Sequence, residues 1–209
     1  FSLGIGADGV PGYPLIEAYL TGKELKTVAE IDASVSDLMT SARLYMYGLQ
    51  FTYNPHRMIL NRVTDVYLLD ADGNRRELED DKMYRVVADL YSGQMLSAVT
   101  KTSYGLLSVV PKKADGTPIE NFEDVILTDN GRELKAWTAI AHYMESFPDE
   151  NGDGIADIPQ YYAGLHERKV VDDSFNLIKL IKNPNKYAVM IAGIVLIAIL
   201  LVVLLIRCP

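Results

Sequence analysis

The run from Tyr187 to Ile206, YAVMIAGIVLIAILLVVLLI, contains no charged residue. It has the length, about 20 residues, that an α-helix needs to cross the hydrocarbon core of a bilayer. Lys182 and Lys186 precede it and Arg207 closes it. In water such a helix would expose an apolar circumference, and buried core helices are usually shorter. The run therefore predicts a membrane span, with lipid as a partner and everything before it tethered by its C-terminal end.

The remaining residues, 1–186, suffice for one domain with a sizeable core and a tail. The net charge of −8 and the lack of a basic stripe argue against nucleic acid as a partner. The single cysteine, Cys208, lies beyond the apolar run. A disulfide-rich extracellular module is thereby excluded, while an intracellular or a bacterial exported domain fits. The opening Phe1-Ser2-Leu3-Gly4 has no initiator Met and no signal-peptide core, which suggests a fragment of a longer protein. Lys179, Lys182 and Lys186 before the span favour a cytoplasmic domain by the positive-inside rule, but a large domain driven by an upstream signal translocates regardless of such charge.

Pro14 to Leu20 alternates as a strand. Thr21-Gly22-Lys23-Glu24 then has the spacing of a capping box, starting a helix from Gly22 to about Ser34. Asp32 interrupts the apolar stripe of that helix and reads as solvated. Leu44 to Tyr53 is a strand stopped by Asn54-Pro55, and Arg62 to Leu69 is another, followed by a turn at Asp70-Ala71-Asp72-Gly73-Asn74. Met83 to Leu90 reads as a strand, Ser92 to about Val99 as a short helix and Leu106 to Val110 as a strand. A turn follows at Ala114 to Pro118. Asn130 reads as the cap of a helix whose apolar positions, Leu134, Trp137, Ile140, Ala141, Met144 and Phe147, keep one face until Pro148. Strands and helices without βαβ alternation predict an α+β fold, a mixed sheet with packed helices, then a linker and one transmembrane helix. The predicted division is a domain over 1–147, an acidic stalk over 148–186 and the span over 187–206. Within the stalk, Phe175 to Ile181 suits a short amphipathic turn at a membrane surface.

Four blocks carry a resemblance. Leu20-Thr21-Gly22-Lys23-Glu24-Leu25, Gly48-Leu49-Gln50-Phe51-Thr52-Tyr53-Asn54-Pro55, Arg62-Val63-Thr64-Asp65-Val66 and Lys82-Met83-Tyr84-Arg85-Val86-Val87 follow one another in that order. They resemble the L-T-G-x-E-L, S-G-L-x-F-T-Y-D-P, R-V-x-x-V and K-x-Y-R-V-A blocks of the C-terminal domain of 5′-nucleotidases and UDP-sugar hydrolases, over about residues 4–147. The resemblance implies a two-domain phosphoric ester hydrolase. An N-terminal metallophosphoesterase half, with two divalent metal ions, would activate water. The C-terminal half would grip the nucleoside between aromatic rings and deliver it by rotation.

Two departures bear on the site. The family's P-F-G-N block stands here as Ser2-Leu3-Gly4-Ile5, so Leu3 replaces the first stacking aromatic, offering dispersion contact without a π-face. The G-G-D-G stretch corresponds to Ser92 through Gly105, with Tyr104 as the second ring; an aromatic between a helix and a strand is equally read as core. Tyr13, in Pro11-Gly12-Tyr13-Pro14, is the alternative ring. The ligand is accordingly a nucleotide or another phosphorylated small molecule.

His56, His142 and His166 lack ligand spacing, and no nucleophile with a base, P-loop or Rossmann glycine pattern is present. No catalytic residue is therefore assigned. Asp149 to Asp157 (DENGDGIAD) matches the first half of an EF-hand-type calcium loop and resembles thrombospondin type 3 and dockerin-like repeats. Asp149, Asn151, Asp153, the Ile155 carbonyl and Asp157 would hold Ca2+, although Gln160 stands where the bidentate Glu is expected. A solvated acidic linker is the competing reading. The expectation is the substrate-binding half of a membrane-anchored, outward-facing, single-pass 5′-nucleotidase-like enzyme of nucleotide catabolism. The alternative is a non-catalytic surface scaffold or adhesive protein that keeps the fold.

Overall fold

In the computed structural model, which describes residues 4–6, 8–36, 43–70, 72–102 and 107–207, the first helix begins where the capping box requires. Strand β1 (Leu15–Thr21) runs straight into α1 (Gly22–Val35). The Thr21 hydroxyl accepts from the Glu24 N–H at 3.3 Å, and Glu24 accepts in return from the Thr21 N–H at 2.8 Å. Two orphan donors at the helix start are thus satisfied by its own side chains.

The chain divides into two compact units, residues 1–27 with 79–166 and residues 28–78 with 167–209. In the first, β1 pairs antiparallel with β5 (Met83–Asp89), Leu15 opposite Asp89 and Thr21 opposite Met83. Two of the three buried side chains of β1, Ile16 and Ala18, meet Ile119 and Phe122 in a small core completed by Ala88, Leu90, Val125 and Ile126. Helix α2 (Leu90–Thr102) follows β5 directly. A hairpin of β6 (Thr128–Asp129) and β7 (Arg132–Glu133) precedes α3 (Ala136–Glu145).

Four local expectations change in the structure, the first being that the strand expected over Leu44 to Tyr53 begins only at Leu49. Asn130 is no helix cap: Asn130 and Gly131 both take left-handed φ, 49° and 78°, and form the two-residue turn of the β6–β7 hairpin. That is the favoured Asn-Gly hairpin geometry, and the helix starts only at Ala136. Of the predicted strand at Leu106 to Val110, the described residues 107–110 are not in a strand; the pairing falls two residues later, where Lys112 bridges both Tyr19 and Pro118. Asp32, read as solvated, is 3% exposed and paired with Lys169 at 2.7 Å.

The second unit carries a four-stranded sheet in the order β4-β3-β2-β8. Strands β2 (Leu49–Tyr53), β3 (Val63–Leu69) and β4 (Arg75–Glu77) are antiparallel neighbours. The turn at 70–74 is closed by the Asp70 carboxylate, which accepts from the Asn74 and Asp72 N–H groups. β8 (Lys169–Val171) adds parallel to β2, Phe51 opposite Lys169. Buried Glu30, on α1, accepts from the Arg62 and Val63 N–H groups at 2.8 and 2.9 Å, covering donors at the start of β3.

The C-terminal part of this unit is α4 (Leu177–Ile181) and α5 (Lys186–Arg207). Buried Arg57 donates to the carbonyls of Asn61, Lys179 and Lys182 at 2.6, 2.5 and 2.9 Å. The Asn185 N–H donates to Asn61 Oδ1 at 3.0 Å, and Tyr187 at the head of α5 is buried. The helix over 186–206 is a candidate membrane span by length and composition, and beyond Ala188 most of its large apolar side chains are exposed.

Candidate functional site

A cleft of about 370 Å³ opens in the first unit beside the start of β1. The backbone of residues 4–6 and Tyr13 form part of its wall, Leu90 and Ile126 supply apolar surface, and Glu123 and Glu133 bring carboxylates. Leu90 arrives from α2 and Ile126 from the turn after the 122–125 helix; both also pack on the Ile16–Phe122 core. The cleft is therefore floored by side chains whose other faces are already fixed.

Tyr13 is held from two sides. Its ring lies 5.7 Å from that of Tyr91, tilted by 36°. Its backbone carbonyl accepts from the Ala136 N–H at 3.1 Å. Next to it, Gly12 has φ +104°, and a Cβ there would stand 2.8 Å from Trp137 Cδ1. Only glycine meets both conditions without strain. Trp137 in turn donates its indole N–H to the Pro11 carbonyl at 3.0 Å, tying the Pro11-Gly12-Tyr13-Pro14 turn to α3.

Lys135 lies behind the cleft, 1% exposed, bonded to Glu133 and to Asp8 at 3.0 Å. Burial pulls its ammonium down, but Glu133 and Asp8 outweigh burial and hold it above its ordinary value. The Val10 N–H, opposed by burial and helped by Lys135, keeps the Asp8 carboxyl below its ordinary value. Lys135 is thus a structural cation committed to two carboxylates. Among the described residues lining the cleft there is no Lys or Arg. The surface suits a flat, largely uncharged ligand that donates hydrogen bonds to carboxylates, better than it suits an anion.

Tyr13 lines this cleft, whereas Tyr104 and Leu3, the other two proposed contacts, lie outside the described residues. Tyr91, Glu123, Glu133 and Trp137 are not among the contacts expected from the sequence. Tyr91 and Trp137 carried a signal, as aromatics near the edges of predicted helices. The two glutamates carried none, since a surface Glu in a turn is the commonest of residues.

The 149–157 loop is organised by its own side chains. Asp149 accepts from the Gly152 and Gly154 N–H groups at 2.6 and 2.8 Å, and Asp157 from Glu150 at 2.8 Å. Asn151 and Asp153 accept from Asp153 and Ile155 N–H groups, both at 2.9 Å. Those N–H groups, Gly154 first and then Gly152, hold the Asp149 carboxyl below its ordinary value against burial. Of the histidines, His56 bonds Asp173 at 2.5 Å and stacks on Phe175, and His166 stacks on Tyr161. Among the described residues no three His, Cys, Asp or Glu side chains are gathered to hold a metal ion.

Residues 12–99 match the family model described as the 5′-nucleotidase C-terminal domain. Two similar solved structures are the 5′-nucleotidase precursor from Thermus thermophilus and the NAD nucleotidase of Haemophilus influenzae. The first is 20% identical with a TM-score of 0.48, covering 81% of this chain and 28% of that chain. The second is 24% identical with a TM-score of 0.35, covering 39% of this chain and 15% of that chain. The chain thus spans less than a third of the length of either. No curated protein matches it. The matched segment runs from Gly12 through β1, the capping box, β2, β3 and β5 into α2, the same blocks that carried the resemblance. Over residues 12–99, less than half of its length, the chain is similar to the 5′-nucleotidase C-terminal domain.

Proposed function

We propose that this chain is the nucleoside-gripping half of a membrane-anchored 5′-nucleotidase-like metallophosphoesterase, acting in nucleotide breakdown. The observation that carries the reading is the cleft around Tyr13, within a unit to which the family-matched segment contributes β1, β5 and the start of α2. A base stacked on Tyr13 would leave ribose hydroxyls or an exocyclic amine facing Glu123 and Glu133. The phosphate, for which the cleft wall offers no cation among the described residues, would point outward to an N-terminal domain bearing the metal pair. Tyr104 and Leu3 remain part of the proposed contact set.

The anchor is α5, and the proposal places the preceding chain on the outer face of a cell membrane. An outward domain would meet millimolar calcium; on its ligand spacing the 149–157 loop would close around one Ca2+ there, drawing together carboxylates that are not gathered in the structure.

The decisive experiment titrates the full chain, reconstituted in lipid nanodiscs, with adenosine. Tyrosine emission should be quenched saturably, and Tyr13→Ala should weaken binding by about tenfold or more, the ~1–3 kcal/mol of one stacked base. No response in the parent would remove the nucleoside-binding reading and leave the scaffold alternative standing.

A further inference from the structure

Just before the candidate span the chain presents Phe175, Leu177, Ile178 and Ile181, each 72–76% exposed. Such a group of large apolar side chains, close together in the chain, forms a patch that water disfavours and that scattered surface hydrophobics do not match. None of them is needed to hold the fold, because α4 is secured by polar groups. Asn176 caps it, accepting from the Ile178 N–H at 2.9 Å, and Arg57 takes the Lys179 and Lys182 carbonyls. Phe175 is steadied by its stack on His56, whose ring centroid lies 3.7 Å away.

The position of the patch says what covers it. Ile181 precedes Lys186 by five residues, so the two are at most about 18 Å apart even in a fully extended chain. The connecting residues are not extended freely, because Arg57 binds the Lys182 carbonyl and Asn185 donates to Asn61 Oδ1 and to the Leu60 carbonyl. One short loop, 57–61, therefore grips both the end of α4 and the head of α5. A helix entering a bilayer at Lys186 carries this patch to the bilayer surface with it. Lys182 and Lys186 flank the patch on the span side, where they can reach anionic headgroups while their stems lie along apolar surface. Lys179 is instead turned to Asp172 at 3.1 Å.

We infer that Phe175, Leu177, Ile178 and Ile181 form a membrane-seating foot that lies in the phospholipid headgroup layer. Because the 57–61 loop grips foot and span together, the second unit rests on the bilayer instead of swinging on a free tether. The inference rests on the proposal that α5 spans a membrane. A short patch suffices because the anchor keeps it at the surface at high effective concentration.

Single cysteines test it in the full chain carrying Cys208→Ser, reconstituted in liposomes containing lipids brominated at a shallow or a deep acyl position. An environment-sensitive fluorophore is placed at Ile178→Cys or, as a second foot position, Ile181→Cys, and at Leu196→Cys within the span. Foot labels should emit blue-shifted from their value in water, and shallow bromines should quench them more than deep ones. The Leu196 label should show the reverse depth order. A Leu196 label quenched as expected with foot labels emitting as in water overturns the foot alone. Blue-shifted foot labels that bromines leave unquenched mean that protein, a second copy included, covers the patch, and also overturn it. An unquenched Leu196 label overturns the span, and the foot falls with it.

Discussion

At Glu24 one carboxylate closes the capping box with Thr21 and also meets Lys112 Nζ at 2.6 and 2.7 Å and the Val110 N–H at 3.0 Å. Burial pushes this carboxyl up, but Lys112 and the Thr21 and Val110 N–H groups together hold it below its ordinary value of 4.5. A carboxylate whose value falls on folding contributes stability that is full above 4.5 and is lost as pH drops through its folded value. Glu24→Gln should destabilise the chain by about 2–3 kcal/mol at neutral pH. That is less than the ~3–5 kcal/mol of a fully buried pair, because both side chains keep some solvent. The difference in melting temperature between parent and variant should shrink as pH falls below 4.5, which thermal melts from about pH 3 to neutrality would measure. A difference independent of pH would assign the loss to packing. The capping half of this role was legible, since Thr21 and Glu24 are three residues apart. Lys112 was not, because its contact is made only when β1 and the 110–112 segment are brought side by side.

Among the elements, the ones read well from sequence declare themselves by period and by local punctuation. β1, α1, β3 and β5 fall within one or two residues of their expected bounds, because their apolar alternation or capping lies within a single turn or strand. The β6–β7 hairpin was misread because its strands are two residues each, too short to show alternation, and the same Asn-Gly pair serves as cap or turn. The 149–157 loop lies between these cases: its residue spacing is plain, but its internal bonding is not. With Asp149 held low by the Gly154 and Gly152 N–H groups, the loop should stay closed at neutral pH and loosen below the ordinary aspartate value of 3.8. Amide resonances of Gly152 and Gly154 should shift together as pH falls below 3.8, and their exchange protection should drop. Calorimetry with calcium should show uptake that Asp153→Ala abolishes; absence of heat in the parent removes the calcium assignment while leaving the pH behaviour intact.

For the whole molecule, Arg57 is a polar anchor of the second unit, with three carbonyls gathered on one guanidinium, two of them far along the chain. Arg57→Ala would leave those buried carbonyls short of donors, at about 1–3 kcal/mol for each not reached by water. Hydrogen exchange in the full chain should accelerate selectively over residues 177–187, while the 15–21 strand exchanges as before. Uniform acceleration would show general unfolding instead. Residue order alone determined a great deal here: the apolar run capable of spanning a bilayer, the acidic balance, most of the succession of strands and helices, and the blocks that resemble the 5′-nucleotidase C-terminal domain. All of these are properties of neighbours in the chain, where period, charge and spacing act locally. Only the tertiary structure decided that Lys169 would neutralise a buried Asp32, that β8 would join β2 in parallel, and that Tyr13 would share a cleft with Glu123 and Glu133. The physical reason is the same in each case. A buried charge or a parallel strand is stabilised by a partner far along the chain, and no local pattern records which one it will meet.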